Sequence, residues 1–155
     1  MTSRNTHTVN VARRAVLPAA PAVVWGLIRD FNSMPSWNPS VVGSHIEDGP
    51  ADRVGCFRVL DFGAGGLWKH RLTGLSDNDM VLQYRIVDGP GMATGLIQHY
   101  SATMQVSPAE HAPLNSCELS WEAWFESNSP EVAEERAADV FEAGFIGIRR
   151  HLLKS

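Results

Sequence analysis

The spacing of apolar residues changes along the chain and first indicates a strand followed by two short helices. Residues 8–17 alternate loosely between apolar and polar and stop at Pro18, which predicts an opening strand. Pro21 suits the first turn of a helix, and residues 22–29 carry four apolar side chains at helical spacing. Residues 30–38 predict a second helix, which Pro35 and the following Pro39 keep short.

The middle of the chain consists of short alternating runs separated by glycine, proline, asparagine and aspartate. Links of this kind are typical of hairpins, so the runs predict an antiparallel meander. Together with the opening strand they make seven predicted strands. The six runs are 41–46, 56–62, 67–75, 80–87, 97–106 and 117–126.

The last region predicts one long helix that opens at 129–131. Its early turns are acidic and its last turns carry Arg149, Arg150 and Lys154, which suits the helix dipole. A broad apolar face runs along it. The element order predicts an α+β helix-grip fold, in which a curved seven-stranded antiparallel sheet surrounds the C-terminal helix. One helix cannot easily fill a strongly bent sheet, so we expect a pocket between them.

Size and composition narrow the possible functions. The 155 residues suit a single domain, 1–155, with an ordered core of about 8–153. A net charge of −4 without a basic stripe argues against nucleic-acid binding. No apolar run is long enough to span a membrane, and the polar start predicts no signal peptide, so we expect a cytoplasmic protein.

The sequence also lacks the common patterns for metals and cofactors. Cys56 and Cys117 form no disulfide framework, and the histidines show no ligand spacing, so we expect no metal. Nucleotide-binding glycine motifs are absent as well, so we expect no cofactor. We expect the partner to be a small hydrophobic molecule and the protein to be a monomer or homodimer.

Several short segments carry a family resemblance along nearly the whole chain. They are the stretch 31–39, Arg-Val-Gly-Cys at 53–56, Tyr-Arg-Ile-Val-Asp-Gly at 84–89 and the final helix. In this order they resemble the START-like, Bet v 1-type superfamily, and most closely the bacterial polyketide cyclase/dehydrase-like (SRPBCC) proteins. The resemblance implies the helix-grip fold and a hydrophobic cavity. It implies no single function, since this fold hosts carriers, receptors and enzymes.

Strand alternation identifies the first candidate for a polar group in the cavity. In the run 67–75, Trp68, His70 and Leu72 share one face, which we take as the inner one. His70 is therefore a candidate acid or base near neutral pH. The alternative is a hydrogen-bonded pocket histidine without chemistry.

A second candidate depends on the face of the preceding run. Arg58 shares its row with Leu60 and Phe62, and neither row of this run is cleanly apolar. If Arg58 points inward, it needs an acidic partner or an anionic ligand. If it points outward, it is a solvated strand arginine.

Two further rows are apolar around a tyrosine. Tyr84 shares its row with Ile86, and Tyr100 shares its row with Met104. The hydroxyls offer contacts to an oxygen of a ligand, although core packing also explains both rows.

The run 117–126 has two conflicting interpretations. Burial cost favours an inward row of Leu119, Trp121, Ala123 and Phe125. More distantly, the chain also resembles the plant abscisic-acid receptors. With one residue inserted before Pro130, that resemblance would instead turn Glu122 inward, as a partner for Arg58.

The same receptor resemblance adds four candidate ligand contacts. Phe141, Phe145 and Arg149 recur every four residues on the last helix and match receptor positions that face the ligand, although packing against the sheet explains them equally well. Asn38 stands where the receptors carry the lysine that binds the hormone carboxylate. That difference argues against a hormone receptor.

Two functional hypotheses follow. The first is a binding protein for a small hydrophobic, ring-containing ligand. The second is an enzyme of the polyketide cyclase or dehydratase type acting on a carbonyl compound. There, His70 would move a proton, and Arg58 or Tyr100 would stabilise a developing enolate.

Overall fold

The computed structural model describes residues 6–110 and 115–154. Its strands and helices follow one another in an order close to the one the sequence predicts. The strands are β1 His7–Leu17, β2 Gly43–Glu47, β3 Phe57–Asp61, β4 Leu67–Ser76, β5 Val81–Asp88, β6 Gln98–Pro108 and β7 Cys117–Ser127. The helices are α1 Pro21–Ile28, α2 Met34–Trp37, α3 Pro90–Ala93 and α4 Pro130–Leu153.

The seven strands form one antiparallel sheet in the order β1-β7-β6-β5-β4-β3-β2. This confirms the predicted α+β helix-grip arrangement with two short helices after the first strand. Two short elements were not predicted, namely α3 and a 3₁₀ turn over Gly63–Gly65. Both have three or four residues, which is too short for helical periodicity to be visible in a sequence.

Strand β7 lies in the interior of the sheet, between β1 and β6. Its apolar row faces the core, since Leu119, Trp121, Ala123 and Phe125 are each at most 2% exposed. The burial-cost argument is thereby confirmed. Register shifts in β4–β5 and β6–β7 mark bulges, which bend strands locally.

The middle and C-terminal part of α4 is fixed by aromatic packing. Trp121 stacks on Phe141 at 4.3 Å between ring centroids and meets Trp37 of α2 edge-on at 5.9 Å. The Asn38 side-chain amide, just after α2, donates to the Val140 carbonyl at 3.2 Å. Together with β1, these groups hold this part of α4 against the sheet and leave its N-terminal half beside a pocket.

Candidate functional site

A pocket of about 750 Å³ lies between the N-terminal half of α4 and the inner face of β4, β5 and β6. Two chain segments border its mouth, the β3–β4 connection and the β5–β6 connection that contains α3. Apolar and aromatic side chains dominate the lining. The lining residues are Met34, Ser40, Phe62, Ala64, Gly65, Trp68, His70, Tyr84, Ile86, Pro90, Gly91, Thr94, Leu96, Ile97, Tyr100, Arg136, Ala137, Asp139 and Val140.

Arg58 and His70 form a hydrogen-bonded pair at the floor of this pocket. They face each other across β3 and β4, and both are buried, at 3% and 4% exposure. Arg58 donates from Nε to His70 Nδ1 at 3.2 Å, and its Nη2 lies 3.1 Å from the same atom. A third contact runs from Nη1 to the Phe31 carbonyl at 3.4 Å. The inward alternative for Arg58 is therefore the one the structure shows.

The guanidinium of Arg58 contacts two aromatic rings. Its Cζ is 4.1 Å from the Phe31 ring centroid and 4.8 Å from that of Tyr84. Within the described residues, none of the ion pairs includes Arg58. Burial lowers the pKa of Arg58 to about 10, so it stays charged at neutral pH. The floor of the pocket thus has a positive charge offset mainly by aromatic faces.

His70 is a neutral imidazole with a defined tautomer. The Nδ1 atom accepts from Arg58, and an accepting nitrogen carries no proton, so the proton is on Nε2. Burial, followed by the adjacent Arg58 charge, lowers the pKa of His70 well below its usual 6.5. The ring stacks on Tyr84 at 4.8 Å with an 8° angle between planes. His70 therefore faces the pocket as a hydrogen-bond donor.

Tyr84 and Tyr100 extend the polar floor towards β7. Trp121 donates from Nε1 to the Tyr84 hydroxyl at 3.2 Å, and Tyr100 packs beside Tyr84 with 6.4 Å between the ring centroids. Burial raises the pKa of both phenols, and the neighbouring Tyr84 raises that of Tyr100 further. Both tyrosines are protonated at neutral pH and supply hydroxyl groups rather than phenolates.

Trp68 occupies the mouth of the pocket and joins its two bordering segments. Its Nε1 donates to the Gly65 carbonyl at 3.0 Å, and its ring packs on Gly89 and Gly91. A Cβ at either glycine would collide with the indole, so these two positions need glycine. The two segments also meet where Gly66 approaches Pro90.

Twelve of the fifteen sequence-predicted site residues fall into three groups. Six line the pocket: Phe62, Trp68, His70, Tyr84, Ile86 and Tyr100. Arg58 lies directly behind His70. The third group is fully buried in the core and outside the pocket lining; it comprises Leu60, Leu72, Met104, Phe141 and Phe145.

Three expected positions need correction. Glu122 lies on the outer face of β7, where its carboxylate accepts from Asn10 at 3.0 Å, so it does not pair with Arg58. Arg149 is on the exposed side of α4 and donates to the Val16 carbonyl at 3.3 Å. Asn38 is buried, and its side-chain amide links the end of α2 to α4 through its hydrogen bond to the Val140 carbonyl. The cost of burying a carboxylate keeps Glu122 on the outer face of the sheet. The close contact between α2 and α4 keeps Asn38 away from the pocket.

Sequence reasoning missed residues outside the regular strands. Phe31, which holds Arg58, lies between α1 and α2, and Leu96 and Ile97 follow α3. Val140 and Arg136 line the pocket from α4, one and five residues before Phe141, the first of the two phenylalanines that the pattern favoured. The apolar stripe of α4 is visible in the sequence. Which half of the helix faces the pocket cannot be read from that stripe, because it depends on where α2 packs.

Two further properties concern the described residues alone. No group of three or more metal-ligating side chains occurs within residues 6–110 and 115–154. None of the helices in those ranges is long and apolar enough to cross a membrane.

Comparisons with known proteins agree with the fold. The chain matches the family model for polyketide cyclase / dehydrase and lipid transport proteins over residues 8–154, and it belongs to that family. The resemblance found in the sequence is thereby confirmed. No curated protein matches the chain.

Solved structures share the fold across nearly the whole chain. The XoxI protein of Bacillus cereus has a TM-score of 0.82 at 23% identity, covering 94% of this chain and 96% of its own. A Thermobifida fusca protein has a TM-score of 0.70 at 26% identity, covering 88% and 84%. Norcoclaurine synthase of Thalictrum flavum, in complex with dopamine and hydroxybenzaldehyde, has a TM-score of 0.73 at 16% identity, covering 99% and 95%.

Proposed function

We propose that this protein binds a small hydrophobic, ring-containing molecule in the pocket beside α4. The observation that carries the proposal is the pocket itself, at about 750 Å³, with mainly apolar and aromatic walls and a few polar groups at one end. Small-molecule sites generally have this size and composition. Family membership and the ring compounds bound by norcoclaurine synthase support the same conclusion.

The walls favour a ring over a flexible chain. Trp68 at the mouth and Tyr84 and Tyr100 at the floor contribute aromatic side chains to the lining. A planar ring packs against aromatic side chains over a large area and loses little conformational freedom on binding.

A neutral fluorescent probe, N-phenyl-1-naphthylamine, tests the proposal. Its emission should rise and saturate on titration into the protein. Val140→Trp places a large side chain at a lining position on α4 and should weaken binding at least tenfold. Val23→Trp is the matched control, because Val23 is 54% exposed on α1 and outside the lining. Absence of saturable binding, or equal binding by both variants, would count against the pocket as the site.

A cyclase or dehydratase activity in the same pocket is the second candidate. It is favoured by the convergence of Arg58, His70 and two tyrosine hydroxyls at the floor. In this arrangement the Nε2–H of His70 would stabilise a developing enolate oxygen, with the charge of Arg58 behind it. Wild-type protein should then cyclise a poly-β-keto thioester analogue, and His70→Leu should still bind it with no turnover. Equal turnover by both proteins would remove His70 from the chemistry.

A further inference from the structure

The electrostatics of the pocket floor are unusual for a hydrophobic site. Arg58 is buried and charged, and none of the ion pairs of the described residues reaches it. Its polar contacts are neutral, namely His70 Nδ1 and the Phe31 carbonyl. A buried cation in this state favours a negative charge nearby, since low dielectric strengthens their attraction.

His70 links this charge to the pocket. Its hydrogen bonds with described residues all use Nδ1, and those residues include no buried side-chain nitrogen or oxygen that lacks a partner. Nε2 is therefore the accessible edge of the ring, and the fixed tautomer makes it an N–H donor. If an oxygen of a bound ligand accepts from Nε2, only the imidazole ring of His70 separates it from the Arg58 guanidinium.

The other groups around the floor do not cancel the positive charge. Tyr84 and Tyr100 are protonated, and the Cys56 thiol is buried with a raised pKa. At the mouth, Arg136 and Asp139 are both exposed on α4 and carry opposite charges. The described residues therefore supply no compensating anion at the floor, and an occupant of the pocket could provide one.

We propose that the pocket selects ring compounds with a weakly acidic hydroxyl and binds them as oxyanions, the oxygen accepting from His70 Nε2–H. Arg58 acts as a positioning residue, which fixes the histidine tautomer and supplies the charge that favours the anion. This inference rests on the proposed function and specifies the chemical class of the ligand.

The probe 7-hydroxycoumarin tests this inference, because its anion absorbs at longer wavelength than its neutral form. Bound to the wild-type protein, its hydroxyl should titrate about one pH unit or more below its value in buffer, which is a tenfold preference for the anion. Arg58→Met should abolish that shift, whereas Arg58→Lys, which keeps the charge, should retain most of it. In wild-type protein, ¹⁵N spectra should show His70 protonated on Nε2 alone.

The reference compound 7-methoxycoumarin, which has no acidic hydroxyl, distinguishes oxyanion binding from binding of a neutral ring. If 7-hydroxycoumarin binds with an unshifted pKa, or with the same affinity as the methoxy compound, the oxyanion inference is overturned and the proposed function stands. The same holds if neither coumarin binds while N-phenyl-1-naphthylamine does. If none of the three binds, the proposed function fails and the inference with it. A shift that persists in Arg58→Met would remove Arg58 from the explanation.

Discussion

Replacing Gly147 with alanine should destabilise the protein, although alanine is the better helix former. Gly147 lies inside α4, where a Cβ would overlap the carbonyl oxygen of Trp37 and come within 2.9 Å of Pro39 Cδ. The obstacle is backbone, which cannot rotate aside as a side chain can. Relief requires α2 to move away from α4, which disturbs the packing of Trp37 on Trp121.

The magnitude follows from two opposing effects. Glycine to alanine in a helix interior stabilises by about 1 kcal/mol, whereas overpacking a tight contact costs roughly 1–3 kcal/mol or more. Because the clash is with backbone, the cost should lie at the upper end of that range, and we expect Gly147→Ala to lower the free energy of unfolding by about 2 kcal/mol. Gly26→Ala is the matched control, since Gly26 is exposed in α1 and a Cβ there meets nothing within 4 Å. That variant should gain roughly 0.5–1 kcal/mol.

Urea unfolding followed by tryptophan fluorescence measures both changes. The two variants should keep the wild-type slope, so that their midpoints report stability directly. If Gly147→Ala is as stable as Gly26→Ala, α2 does not press against α4 as described. The reason given for the buried position of Asn38 then fails as well.

Two further predictions concern the buried pair. His70→Phe removes the acceptor of two guanidinium N–H groups and should lower the free energy of unfolding by about 2–4 kcal/mol, because it leaves a buried charge poorly paired. Arg58→Met removes that charge. In urea unfolding, the double variant should therefore be more stable than His70→Phe alone. Simple additivity of the single changes would contradict the coupling. The pKa of His70 in the folded state lies well below 6.5, so below about pH 6.5 the unfolded state binds a proton that the folded state does not. The free energy of unfolding should therefore fall as the pH drops below about 6.5, by up to about 1.4 kcal/mol per pH unit. A His70→Gln variant should lose that part of the pH dependence, and an unchanged profile would refute the assignment.

Strand alternation and turn residues were sufficient to predict the architecture. The element order follows from period-two runs, and the inward row of β7 follows from the cost of burying glutamates. His70 could be placed on an inner face for the same reason, and the structure confirms that placement.

The Arg58–His70 pair could not be predicted, because it depends on the register between β3 and β4. Neither row of β3 is cleanly apolar, so alternation does not settle its face. The position of Phe31 depends on a loop with no periodic signal. Phe141 and Phe145 were candidates either for ligand contact or for packing against the sheet. The structure shows packing, because both rings contact Trp121 of β7.

The most direct test of the central claim is to locate a bound apolar compound by NMR. Nuclear Overhauser effects between N-phenyl-1-naphthylamine and the protein should involve methyl protons of Ile86, Ile97 and Val140, which line the pocket from β5, the α3–β6 connection and α4. Trp124, which is 41% exposed on the outer face of β7, should show none. Contacts confined to Trp124 and the outer face, or an absence of contacts to all three lining residues, would contradict the proposal that the pocket beside α4 binds hydrophobic ligands.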